Sequence, residues 1–197
     1  MLNLPLKPEQ IAGPLLLLLA IVLVPLLIPE AYDSLAYQRE DIARLQFWRL
    51  VTAHMLHTNL NHLLLNGAGI VLLWAVFGDY YRTANYLTMT LGCALLISAG
   101  LYWLVPQLSG YVGLSGVLHG LFVWGALCDI RTRRRSGWLL LFGVIVKVGY
   151  ESLIGADPQI SLLIEARVAT EAHLFGVLSG GLLGLFFTLQ KRLTPAT

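Results

Sequence analysis

Apolar residues run through this chain in six long blocks, at about residues 12–29, 52–77, 86–105, 114–129, 138–155 and 168–189, separated by shorter polar connections. A membrane-spanning helix needs about 20 predominantly apolar residues. The pattern therefore predicts an all-α membrane protein: six transmembrane helices in a single domain over residues 1–197, with no separate soluble part. The first block follows Lys7 and is followed by Ser34-Leu35-Ala36, which resembles a signal-peptide cleavage site. It is long for a signal sequence, however, and Pro25 and Pro29 interrupt it, so it is expected to remain as a span. The fourth block is short. Its residues reach roughly 22 Å at about 1.5 Å each, less than a hydrocarbon core of about 30 Å. Its outer end should lie below the membrane surface and be reached by a dipping loop, 106–114. Backbone of that kind is tolerated only against protein or a wet cavity.

Composition agrees. Of 197 residues, 57 % are hydrophobic and 12 % charged, about half the charged share of a soluble domain, and mean hydropathy is +0.72. Disordered, nucleic-acid-binding and ordinary cytosolic proteins are excluded. The net charge of +2 is too small for a polyanion partner. Cys93 and Cys128 lie in apolar stretches, so neither a disulfide framework nor a CxxC metal site is predicted. Orientation follows from the basic residues. With the N-terminus inside, the inner connections and ends hold Lys7, Arg82, Arg131, Arg133, Arg134, Arg135, Lys191 and Arg192, against Arg39, Arg44, Arg49 and Arg167 outside. Both termini are expected to be cytoplasmic. The outer connection 30–51 mixes charges with Tyr32, Tyr37, Phe47 and Trp48, the composition of a segment lying at the interface.

Polar groups in a span are costly and are functional candidates by default. All five histidines, His54, His57, His62, His119 and His173, fall in or near the outward halves of spans 2, 4 and 6. Gly113-Leu114-Ser115-Gly116 opens span 4. A serine at a helix start has an unpartnered backbone N–H and the positive end of the helix dipole beside it, which suits a nucleophile whose attack creates an oxyanion. Taken alone, the same motif serves equally as a helix cap or a small packing residue. His173 lies early in span 6, with Gly176, Gly180 and Gly184 along one stripe of that helix. Span 4 carries Gly116 and Gly120. Packing of these glycine faces would bring His173 beside Ser115 at similar depth, whereas a lone histidine would merely bond a carbonyl. In span 2, His62 and Asn66 share a helix face and offer hydrogen-bond donors. Each by itself could equally be interhelical polar glue.

With these residues the sequence resembles the rhomboid family of intramembrane serine proteases, over almost the whole stretch from Trp48 to Gly184. The resemblance rests on Trp48-Arg49 in the first outer loop, the His62/Asn66 spacing, GLSG around Ser115, and Ala172-His173-Leu174-Phe175-Gly176 with its glycine stripe. It implies a six-helix rhomboid-like bundle, Ser115 as nucleophile, His173 as general base, and an oxyanion hole from His62, Asn66 and the Ser115 N–H. No acid is expected to complete a triad: Glu171, at i−2 from His173, faces another way. A Ser-His dyad is implied, acting without metal or organic cofactor. Many rhomboids carry a tyrosine one turn after the serine, packed on the catalytic histidine; this chain has His119, expected to support the base by stacking. That histidine and the compact six-span form are most similar to the rhombosortase subgroup. The subgroup implies clients that are exported proteins with a C-terminal glycine-rich tail anchor, cut at the periplasmic face of a bacterial inner membrane.

Lys147 and Glu151 stand at i, i+4 within span 5, a spacing that lets them neutralise each other; gating of substrate entry is the other role weighed for them. Two further readings of the whole chain compete with catalysis. One is an inactive rhomboid-like protein that holds client transmembrane segments. The other is a metal- or proton-handling channel built from the histidines, which has no recognised zinc spacing and leaves GLSG unexplained.

Overall fold

The computed structural model describes residues 4–193, with side chains described through residue 187. Ten α-helices follow one another among them: α1 (Pro8–Leu27), α2 (Ala31–Leu35), α3 (Arg39–Ala43), α4 (Arg49–Thr52), α5 (Leu60–Phe77), α6 (Thr83–Leu104), α7 (Ser115–Arg131), α8 (Ser136–Ile154), α9 (Pro158–Leu163) and α10 (Thr170–Leu193). Among the described residues, strands are limited to Tyr37–Gln38 (β1) and Gly110–Tyr111 (β2), which pair antiparallel. Among the described residues, five helical segments are long and apolar enough to cross a membrane: Pro8–Leu27, Leu60–Tyr80, Thr83–Leu104, Ser136–Ile154 and Thr170–Phe187. Their outer faces carry exposed Leu, Val, Ile and Phe, as on α8 at Leu139, Phe142, Ile145 and Val146. Apolar surface on that scale is stable only against lipid. This is an integral membrane protein.

Helix α7 has 17 residues and runs through the middle of the bundle, packed against α5, α6, α8 and α10. Its buried side includes Val117, Leu121 and Trp124, which join Cys93, Ile97 and Leu101 of α6 in one core. The α7–α10 contact is backbone on backbone. A Cβ added at Gly176 or Gly180 would overlap the carbonyl oxygen of Gly116 or Gly120, respectively. The expected glycine faces of spans 4 and 6 are thus in contact. By contrast α8 packs only on α7 and α10 among its larger contacts, and most of it faces outward.

The expected span 2 requires a correction. Residues 52–59 are not in the long helix: Thr52 ends α4, Ala53–Met55 form a 3-10 turn, and α5 begins at Leu60. The break comes from Asn59, whose side chain caps the helix by accepting from the His62 N–H, the usual role of Asn at that position. In α1, Pro14 and Pro25 both lie inside a helix that continues to Leu27.

The connection between α1 and α5 is a built layer of short helices. Buried Arg49 is its hub, donating to the Ala36 and Asp33 carbonyls at 2.7 Å and to Gln46 Oε1 at 2.8 Å, with Asp41 at 3.0 Å. Five donors in a fixed fork suit it to gather several chain segments. The β1–β2 pair then ties this layer to the loop that enters α7.

Candidate active site

Ser115 is the first residue of α7, held there by a pinned loop. Gly113 has φ +130°, a region that side chains rarely adopt, and a Cβ on it would come 2.9 Å from His62 Cε1. Its carbonyl accepts from Tyr111 OH at 2.6 Å and bonds His54 Nδ1 at 3.2 Å, while its N–H donates to Ala53 O. His54 Nε2 lies 3.0 Å from Ser98 Oγ. His54 is therefore a structural residue of the loop. These bonds set where α7 starts and where its free N–H groups point.

Across the glycine contact, Ser115 Oγ meets His173 Nε2 at 2.9 Å. His119, one turn on from Ser115, stacks on the His173 ring with centroids 4.3 Å apart and planes 23° off parallel. Both of its nitrogens are bonded as well, Nδ1 to Ser115 O at 2.7 Å and Nε2 to Lys147 Nζ at 3.0 Å. An alcohol on an imidazole nitrogen is the arrangement in which the ring can take the hydroxyl proton.

The expectation that no acid reaches His173 is overturned. Glu151 Oε2 lies 2.9 Å from His173 Nδ1, and Glu151 Oε1 lies 2.8 Å from Lys147 Nζ. The acid comes from α8, a different helix, so a search within one turn of His173 misses it. Glu171, which stands in that turn, pairs with Arg167 instead.

Ser115 opens onto a cavity of about 300 Å³ walled also by Thr58, His62, Tyr111, Ile164 and Val168. Thr58 meets His62 Nδ1 through both its N–H at 3.4 Å and its hydroxyl oxygen at 3.1 Å, holding the ring in place. Asn66 is buried on the same helix, and its amide nitrogen donates to the His62 carbonyl at 3.1 Å. The structure thus brings Ser115, His173 and His119 together in direct contact, with His62 on the cavity wall beside Ser115. His57 packs edge-on to His62 at 5.0 Å. His119, Glu151 and His173 offer three ligand atoms within 4.8 Å of one another, a spacing a metal ion could use. Lys147 already bonds two of these residues, setting an ammonium among the same atoms.

Residues 44–190 match the family model of the Rhomboid domain. The chain belongs to the rhomboid family. This rhomboid is 30 % identical to "Putative rhomboid protease YdcA" of Bacillus subtilis (strain 168) over 171 residues, covering 81 % of the chain and 76 % of that protein. It is 29 % identical over 170 residues to "Rhomboid protease GlpG" of Yersinia enterocolitica, covering 81 % of the chain and 55 % of that protein. "Uncharacterized protein Rv1337" of Mycobacterium tuberculosis is 24 % identical over 205 residues, covering 94 % of the chain and 80 % of that protein. The rhomboid match includes Ser115, His173, His62, Asn66 and His119. It also spans Glu151, whose sequence signals, an ionisable side chain inside an apolar block and a partner at Lys147, do not point to His173.

Proposed function

We propose that this rhomboid is an intramembrane serine endopeptidase, with Ser115 as nucleophile and His173 as its general base. The observation that carries the reading is the 2.9 Å contact between Ser115 Oγ and His173 Nε2 at the wall of a cavity, in a family whose named relatives include rhomboid proteases. Proton transfer to His173 lets Ser115 Oγ attack a substrate carbonyl, and His173 then returns the proton to the leaving amine. The oxyanion is held by the Ser115 N–H at the start of α7 and by the His62 ring, with Asn66 a weaker third donor. An acyl-enzyme so formed is released by water.

The chain is further proposed to be a single membrane domain in a bacterial inner membrane, with both termini cytoplasmic and the site facing the periplasm. Its proposed clients are those of a rhombosortase: exported proteins with a C-terminal glycine-rich motif, a transmembrane segment and basic residues. Such a tail lies with its basic end inside, by the rule that orients the enzyme, and its glycines at the outer face. Small residues suit a site squeezed between helices in backbone contact.

The deciding experiment joins a fluorescent protein to such a tail and co-expresses it with the enzyme. Release into the periplasm is expected with wild type and not with Ser115→Ala. Labelling of wild type by a fluorophosphonate without release of this reporter would leave a protease with different clients. No labelling at all would favour a client-holding, inactive rhomboid.

Two variant sets sort the supporting residues. His62→Ala is expected to lower kcat by about 10²–10³, the typical loss for one oxyanion donor. Asn66→Ala should cost less, since its amide already bonds its own helix; a larger loss at Asn66 would reverse the two roles. His119→Ala should lose much of the activity, whereas His119→Tyr should keep more, because a ring remains stacked on His173. Equal loss in both would assign His119's contribution to its two hydrogen bonds alone.

A further inference from the structure

Span 5 holds two ionisable side chains that the proposed reaction leaves unused. Lys147 and Glu151 would satisfy each other at i, i+4, and an ion pair that only neutralised itself would need no other partner. Instead each reaches a second group. Glu151 uses one carboxylate oxygen for Lys147 and the other for His173 Nδ1. Lys147 uses a second ammonium hydrogen for His119 Nε2, and His119 Nδ1 returns to the Ser115 carbonyl. With Ser115 Oγ on His173 Nε2, the bonds close into a ring of five residues from three helices. One hydrogen assignment satisfies all of it. The Ser115 hydroxyl donates to His173 Nε2, and His173 Nδ1–H donates to Glu151. Lys147 donates to both Glu151 and His119, and His119 Nδ1–H donates to Ser115 O.

We propose that Glu151 and Lys147 are positioning residues that fix the tautomer of His173, making this site an acid–histidine–serine relay instead of a bare dyad. This rests on the serine-protease reading above. With Glu151 accepting at Nδ1, the lone pair of Nε2 must face Ser115, ready for its proton. After transfer the ring carries hydrogens on both nitrogens, and the imidazolium lies against the carboxylate that stabilises it. Lys147 occupies the second carboxylate oxygen and so fixes which way Glu151 turns. Because both residues hang on α8, the outermost helix of the site, the base is in working order only while α8 is seated on α7 and α10.

Glutamine at 151 makes a sharp test, since it has one acceptor oxygen for two donors. The Lys147 ammonium takes that oxygen, the amide hydrogens turn to His173 Nδ1, and the ring is left with its hydrogen on Nε2, unable to accept from Ser115. Glu151→Gln is expected to lower kcat, and the rate of fluorophosphonate labelling, by about 10²–10⁴, the scale seen when a catalytic histidine is held in the wrong tautomer, with KM unchanged. Removing the competitor should reverse this. The double variant Lys147→Met/Glu151→Gln frees the amide oxygen for His173 Nδ1–H and is expected to recover about tenfold or more of the lost rate, the sign of a strong coupling between the two positions. A merely structural ion pair predicts the opposite, a double variant no better than the single.

The same full-length protein, labelled with ¹⁵N-histidine and assigned by the signal lost in His173→Ala, reports the tautomer directly. Hydrogen on Nδ1 in wild type and on Nε2 in Glu151→Gln supports the relay. Hydrogen on Nε2 in wild type, or a Glu151→Gln variant of wild-type rate, overturns it. A wild type that neither cleaves nor labels would end the protease reading, and the tautomer signal would still decide the relay. Should Glu151→Gln fail to fold, the wild-type spectrum decides alone.

Discussion

Ser115→Ala and His173→Ala are each expected to reduce cleavage of a tail-anchored reporter to background while leaving the folded protein in the membrane. The reason lies in how the pair shares one step. Without the imidazole the hydroxyl keeps its proton and is a poor nucleophile; without the hydroxyl the base has nothing to activate. Residues that act as a unit are strongly non-additive, and single losses on the order of 10⁶ in kcat are typical of such pairs. The double variant should therefore be no slower than either single one. Ser179→Ala is the control. Ser179 is buried on the same helix as His173, but its hydroxyl donates only to the Phe175 carbonyl one turn back, so its activity should stay near wild type. Thermal unfolding in detergent separates chemistry from damage. Equal loss in all three variants would mean that helix packing had been read as catalysis.

How much of this was legible in the sequence depends on what each signal required. The meeting of Ser115 and His173 was legible because glycines at Gly116, Gly120, Gly176 and Gly180 specify which faces touch, and at what depth, without side chains to complicate the fit. The stack of His119 on His173 followed from its i+4 position on the same helix face. Glu151 was hidden for the opposite reason. Its neighbour Lys147 explains it locally as an ion pair, and only the docking of α8 on α7 and α10 shows that its second oxygen has another use. The start of span 2 is not legible because Ala53, Met55 and Leu56 continue the apolar block, while the cap at Asn59 that starts the helix is a matter of backbone geometry. Asn66 shared a face with His62 as spacing required. The spacing does not show that the amide also bonds the His62 carbonyl one turn back.

The glycine contact itself gives the second large expected effect, and the chain supplies its own graded controls. At Gly176 a new methyl would overlap a carbonyl oxygen of Gly116, and at Gly180 one of Gly120. Backbone cannot rotate aside as a side chain does, so α10 must slide or tilt away from α7. Overpacking of this kind costs about 1–3 kcal/mol, and a displacement near 1 Å at reacting groups can cost about 10² in rate. Gly176 lies one turn beyond His173, so the displacement acts directly on the Ser115–His173 contact and on the Glu151 bond behind it. Gly176→Ala is therefore expected to lose about 10² or more in kcat and to lower the unfolding temperature; Gly180→Ala should destabilise similarly but move His173 less. At Gly184 the methyl would approach Leu127 Cδ1 at 3.0 Å, the far end of a side chain that can turn, so Gly184→Ala should be mild. Nothing lies within 4 Å at Gly181. There alanine adds only helix propensity, worth up to about 1 kcal/mol in a soluble helix, and activity should be unchanged. Unfolding temperature and kcat measured across the four variants test the order. A fully active Gly176→Ala would show that the two helices are not held backbone to backbone, and the site's geometry would have to come from the outer loops instead.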